Sequence, residues 1–349
     1  MSSESKLRSK ELKGKAIALS ISHEKDQLLK RGMGFDHLKE MVIKLAQPLL
    51  RHGANIAYGG NWDEREDNFT YVLLNLISAE REDYSGAEIL AEQADSEPPP
   101  AIGRLLNYAA WPHYRTITPR IEAKWVNTCS IIRVTQEDAG LIGDEIVRDW
   151  DAPRASRRRN FNQAVVLSVM RRLILEGRTL KLGDTGRSER IPPAVARVLL
   201  SGKVESYSGF IPGIFEEALS ALRKSLPVYI LGGFGGAAGC LARAVLAQGD
   251  ARPDELKLEW HEARNAKLRE MLAHAKNFRW PSDIQHPKDA LDDLFEFIRK
   301  GRQDPSAALQ TGLDGPDTRQ LLETSDIDSA TQLVYRGLSG RLGLQTNRF

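Results

Sequence analysis

The residues of this chain best suited to chemistry lie in three glycine turns. Gly59-Gly60-Asn61 follows the apolar run Asn55–Tyr58. Gly202-Lys203, with a polar loop through Gly209 to Pro212-Gly213, follows Ala196–Leu200, and Gly232–Gly236 follows Val228–Leu231. Each turn leads into a segment with an apolar helical face. Glycine reaches positive φ and lets a ligand approach the backbone, and the helix that follows offers free N–H groups and a positive dipole end. That is anion-binding chemistry and suits a phosphorylated ligand, with Lys203 or Arg171 supplying the charge that neutral turns lack. Ser20 and Ser22 close the first apolar run, and their hydroxyls serve either a ligand or the end of the strand. Glu216 and Glu217 fall in the first turn of the helix opened by Pro212-Gly213, where negative charge interacts favourably with the dipole. Gly233–Ala238 also fits a relaxed dinucleotide fingerprint with Asp254 downstream, but no apolar strand carries Asp254 to a ribose.

The elements that must position these residues alternate. Strands are expected over Lys15–Ile21, Asn55–Tyr58, within Gly103–Pro112, over Cys129–Val134, Ala196–Leu200 and Val228–Leu231. Between them, Leu38-Met41-Val42-Leu45-Leu49 and Phe69-Val72-Leu73-Leu76-Ile77 mark amphipathic helices, and Asn160–Leu175 and Ala237–Leu246 mark buried ones. Asp67 or Asn68 is placed to cap the second. Ser85–Ala101 reads as a surface loop. The pattern predicts an α/β fold, a Rossmann-like, mostly parallel sheet flanked by helices, with its turns along one edge. Residues 1–14 read as a polar arm, 15–250 as the ligand-binding domain and 251–349 as a mainly helical C-terminal extension. In the extension, helices over Asp254–Lys276, Ala290–Ile298 and Ser329–Leu338 are separated by turn chemistry at Pro281–Asp289 and Gln303–Asp317. They pack on the main domain or on a partner copy, and a homo-oligomer is expected.

Composition narrows the function classes. Apolar residues make up 41% of the 349 and charged ones 28%, enough for an ordinary core, and a net charge of +2 gives no global field for nucleic acid. Arg154–Arg159 is the one dense basic stretch, read as a solvated face or a phosphate contact. No apolar run is long enough for a membrane span and Met1–Leu12 is polar, so a cytoplasmic protein without membrane partners is expected. Cys129 and Cys240 have no metal-ligand spacing and read as buried free thiols, so neither a metal nor a cofactor is expected.

Several of these residues carry a family resemblance. Ser20-Ile21-Ser22, Tyr58-Gly59-Gly60 with Phe69-Thr70, Asn107-Tyr108 before Trp111-Pro112, and Ser168 with Met170-Arg171 occur in that order. Gly202-Lys203, Pro212-Gly213, Glu216-Glu217-Ala218-Leu219 and Gly232–Gly236 complete the series. The sequence resembles the prokaryotic SLOG superfamily, the Rossmann-like group that contains the Smf/DprA proteins, the LOG phosphoribohydrolases and the sensor domains joined to TIR or sirtuin effectors. The resemblance implies a nucleotide-derived ligand, either ADP-ribose or NAD-derived or a nucleoside phosphate. It places that ligand against Ser20, Ser22, Gly59, Gly60, Asn61, Arg171, Gly202, Lys203, Gly209, Gly213, Glu217, Gly232 and Gly233. It implies a sensor or regulatory component of a defence or stress-signalling system, with a separate effector protein because no effector domain lies in this chain. The phosphoribohydrolase branch implies instead cleavage of an N-glycosidic bond with Glu217 and Arg171, and the DprA branch implies nucleic-acid binding, supported only by Arg154–Arg159 and the modest basic balance. The chain departs from the hydrolase motif in Pro212-Gly213-Ile214-Phe215-Glu216-Glu217, which lacks the contiguous glycine-threonine turn, and it has Ser201 where a glycine is usual.

Overall fold

The computed structural model describes residues 12–64, 67–93, 103–149, 156–182, 187–276 and 280–342. Strand β1 (Ala16–Ser22) is followed by helices α1 (Lys25–Leu29) and α2 (Phe35–Arg51), then β2 (Asn55–Tyr58), α3 (Phe69–Gln93), β3 (Leu105–Ala110), α4 (Pro119–Trp125) and β4 (Cys129–Val134). Helix α5 (Ser156–Glu176) leads to a hairpin, β5 (Arg178–Leu182) and β6 (Arg187–Ile191), and then to β7 (Ala194–Ser201), α6 (Gly213–Arg223), β8 (Val228–Leu231) and α7 (Gly236–Leu246). Helices α8 (Leu258–Arg264), α9 (Ala266–Ala275), α10 (Pro287–Gly301), α11 (Pro305–Leu309), α12 (Gly315–Glu323) and α13 (Ile327–Leu342) complete the described chain.

Six strands pair in the order β4-β3-β2-β1-β7-β8, and every pairing is parallel. The chain winds outward from β1 through β2, β3 and β4, then returns to the other side of β1 with β7. The join between β1 and β7 is therefore the point where the strand order reverses, the place where doubly wound sheets open a crevice. Apolar side chains from α5, α6, α7 and α10 cover one face, among them Val165, Phe215, Leu241 and Leu294. Those of α2, α3 and α13, including Val42, Leu73 and Val334, cover the other. This is the α/β sheet that the strand runs imply, and both cysteines are free and buried, Cys129 in β4 and Cys240 in α7.

Several expectations change. Ser85–Gln93 continues α3, since Ala87 to Gln93 supplies good helix formers before the proline run, and residues 94–102 lie outside the described ones. The span Gln303–Asp317, read as linker, holds α11 and the start of α12. Asp304 and Asp314 are true N-caps, accepting hydrogen bonds from the N–H groups of Ala307 and Asp317 at 3.0 and 2.8 Å, each with proline in the first helical positions. Asp254–Lys276 is not one helix: Asn265 ends α8 and caps α9 through Leu268 N–H. The β5–β6 hairpin was not anticipated, because Arg178-Thr179-Leu180-Lys181-Leu182 and Arg187-Ser188-Glu189-Arg190-Ile191 carry too much charge to read as strands. No described helix is long and apolar enough to cross a membrane.

Candidate functional site

The Ser20–Ser22 strand end and the three glycine turns lie at the carboxyl ends of β1, β2, β7 and β8, which are parallel and so share one edge of the sheet. At the strand-order reversal this edge opens into a cleft of about 270 Å³, at the small end of ligand pockets. Ser20 and Ser22 from β1, Gly59, Gly60 and Asn61 after β2, Lys203 after β7, Arg171 from α5, and Gly213 and Glu217 from α6 all line it. Tyr58, Tyr108, His113, Leu167 and Met170 line it as well.

The local chemistry explains this convergence. Asn68 caps α3 by accepting the Thr70 N–H, and its side-chain nitrogen donates to the Asn61 carbonyl oxygen and Oδ1, which shapes the Gly59–Asn61 turn. Ser22 Oγ accepts from Lys203 N–H at 3.1 Å and Glu24 from Val204 N–H at 3.1 Å, so the β1 end ties down the β7 loop. Burial pushes the Glu24 carboxyl above its usual range. Ser22 thus bonds the backbone, while Ser20 Oγ accepts from Arg197 Nη1 at 2.7 Å. Helix α6 opens at Gly213, and its first internal bonds are made by Phe215 and Glu216 N–H, which leaves the N–H groups of Gly213 and Ile214, two cleft-lining residues, without a bond inside the helix.

Four charges sit beneath that helix end. Arg171 Nη1 bonds Glu216, and Arg171 Nε lies 3.8 Å from Glu217 Oε1. Arg197 Nη1 reaches the same Oε1 at 3.3 Å. Arg197 is wholly buried in β7, which holds its pKa below the ordinary arginine value, and its Nε and Nη2 have no hydrogen-bond partner among the described residues. The two guanidiniums and two carboxylates balance. Lys203 Nζ makes no ion pair among the described residues, although Glu24 lies near enough to interact with its charge. The cation available to an incoming anion is therefore Lys203, while Arg171 is already engaged.

Four candidates stand away from the cleft lining. Gly202, at φ +97°, faces Ile214, and its carbonyl accepts the Ala237 N–H at 2.8 Å, so the β7 turn caps α7 directly. The neighbouring Ser201 adopts φ +56°, a left-handed backbone that glycine holds at less cost. Gly209 packs behind Arg171. Gly232 and Gly233 lie against the carbonyls of Leu322 and Thr324, and Arg31 donates to the Gly233 carbonyl oxygen at 3.0 Å. The C-terminal segment therefore closes this turn, which shares the edge but does not enter the cleft. Besides His113, sequence reasoning missed Arg197. Its signal was an arginine inside Ala196-Arg197-Val198-Leu199-Leu200, since a charge in a central strand requires a buried partner.

A family model described as SLOG cluster2 matches residues 11–321. The chain belongs to the SLOG family. The match covers the sheet, the cleft and the helices through most of α12, and SLOG membership suggests a nucleotide-related function. No curated protein matches the sequence. Of the motifs that carry the resemblance, Tyr58-Gly59-Gly60, Gly202-Lys203, Pro212-Gly213 and Gly232–Gly236 lie at turns on one sheet edge, while Asn107-Tyr108 lies in β3 and Ser168 with Met170-Arg171 in α5. Of the basic stretch, Arg157 is exposed near the start of α5 and Arg154 lies outside the described residues.

Proposed function

We propose that this SLOG protein binds a nucleotide-derived ligand, a nucleoside phosphate or an ADP-ribose or NAD-derived molecule, as a cytoplasmic sensor or regulatory component of a defence or stress-signalling system. The observation that carries this reading is the meeting of the free Gly213 and Ile214 N–H groups with the unpaired Lys203 at the strand-order reversal. Helix N–H groups and a cation suit a phosphate, and the Glu217 oxygen not facing the guanidiniums suits ribose hydroxyls. On this reading the ligand-bound protein signals to an effector and works as a homo-oligomer.

A second reading, hydrolysis of an N-glycosidic bond, is favoured by one observation: Glu217 lines the cleft with Arg171 beside it. The sensor reading is preferred because both α6 carboxylates are engaged by guanidiniums, an arrangement that holds a ligand more readily than it relays protons. Native mass spectrometry of the purified protein, looking for a co-purifying nucleotide, tests binding. Calorimetric titration with AMP and ADP-ribose beside a base-release assay separates the readings. Glu217→Gln, which keeps one acceptor oxygen for the ribose, weakens binding by no more than about tenfold if the protein is a sensor, a change of at most about 1.4 kcal/mol. Turnover by the wild type that vanishes in Glu217→Gln would establish the hydrolase instead.

A further inference from the structure

His113 lines the cleft just after β3, in a single 3-10 turn (His113–Thr116). Its Nε2 lies 3.0 Å from Nε2 of Gln163, a buried residue of α5, and Gln163 Oε1 accepts from Lys267 Nζ of α9 at 3.3 Å. These contacts fix every proton in the chain. An ammonium only donates, so the Gln163 atom facing Lys267 must be the carbonyl oxygen. The atom facing His113 is then the amide nitrogen, which also only donates. His113 Nε2 must present its lone pair, and the single proton of the neutral ring sits on Nδ1. An imidazolium would set two donors against each other across 3.0 Å. Burial agrees with this and holds the His113 pKa below the ordinary histidine value, although among the nearby charges Asp63, which raises it, outweighs Lys267, which lowers it. Nδ1 has no hydrogen-bond partner among the described residues.

We propose that Lys267, Gln163 and His113 form a tautomer lock that presents an uncharged N–H donor, His113 Nδ1, to the cleft, where it selects ligands bearing a lone-pair acceptor on the nucleobase. The assignment rests on the reading of the cleft as a nucleotide site. A neutral donor adds little to phosphate binding, which the α6 end and Lys203 serve, and Leu167 and Met170 offer the apolar surface that a base needs. A purine ring nitrogen or a base carbonyl is the matching acceptor, and a bare sugar phosphate has none in that place.

The test has two arms. Nitrogen-15 chemical shifts of the His113 ring should show Nδ1 protonated and Nε2 bare at pH 7. In Lys267→Met, where the amide is free to turn, the other tautomer should appear. In calorimetry, His113→Phe should weaken AMP about fivefold, the loss of one ordinary hydrogen bond, and leave ribose 5-phosphate unchanged. Lys267→Met should weaken AMP in the same direction without affecting ribose 5-phosphate. An Nε2-protonated or charged ring at pH 7 would overturn the lock, and equal losses for both probes would overturn base selection. Failure of the wild type to bind either probe would end the nucleotide reading and base selection with it, while the ring shifts would still decide the lock.

Discussion

Arg197 on β7 and Glu217 on α6 face each other at 3.3 Å beneath the cleft, the first wholly buried and the second nearly so. The pair joins the centre of the sheet to the helix whose end forms the proposed anion site. Removing Arg197 leaves Glu217 only its longer contact with Arg171, at 3.8 Å, in a dry place. Arg197→Leu is expected to lower unfolding free energy by about 3–5 kcal/mol, read by urea denaturation. Arg197→Leu with Glu217→Leu should recover part of that loss. A single variant within about 0.5 kcal/mol of wild type, the range of an ordinary surface change, would show that the pair does not hold the helix.

Gly213 and Lys203 should fail differently. A Cβ at Gly213 would stand 2.8 Å from Arg171 Nη2, so Gly213→Val pushes the guanidinium off Glu216 and crowds the N–H groups at once. Lys203→Met removes only a charge-assisted contact of about 1.5–3 kcal/mol, roughly a tenfold to hundredfold loss. Calorimetry with AMP should show the larger loss for Gly213→Val, after circular dichroism confirms folding. Wild-type affinity in both variants would refute the anion site.

His261 gives the protein an acid sensitivity. It is buried against Tyr207, Phe215 and Trp260, its Nε2 bonds the Glu255 carbonyl oxygen at 2.8 Å, and burial lowers its pKa to about 4. Between that value and the ordinary 6.5 the unfolded chain takes up a proton that the folded one refuses. Stability therefore falls as pH drops through this window, by about 1.4 kcal/mol per pH unit from this residue. Urea midpoints at pH 7 and pH 4.5 should diverge more in wild type than in His261→Gln. Equal divergence would assign the acid sensitivity elsewhere.

Gly233 tests the C-terminal segment. An added Cβ would fall 2.0 Å from the Thr324 carbonyl oxygen, and both neighbours are backbone. Gly233→Ala is expected to loosen α12 and α13, seen as faster proteolysis near Thr324–Ile327, while the cleft keeps its affinity for AMP. Loss of AMP binding with unchanged proteolysis would mean that the glycine serves the ligand after all.

The strands and the turns were legible because their signals are local. Cys129–Val134 and Val228–Leu231 read as strands from branched apolar runs, and Pro212-Gly213 read as a helix start. What escaped depends on partners distant in sequence. Arg197 is explained only by Glu217 and Ser20, and His113 acquires a defined proton only through Gln163 and Lys267. Gly232 and Gly233 resemble ligand glycines by composition, and only α12 reveals that they accommodate the protein's own backbone. Charge hid the β5–β6 hairpin, and proline hid α11 and α12, whose aspartate caps make proline a helix starter.

The central place of β1 also sets an order of events during synthesis. β1 pairs with β2 early in the chain, but its other edge is covered only by β7, so that edge stays open until residue 201 has emerged. Until then the nascent protein carries an apolar strand with unpaired backbone groups, the surface that recruits wrong partners. The cleft has walls from both sides of that seam, so no ribosome product that stops short of β7 has a site to fill, and such products are candidates for aggregation.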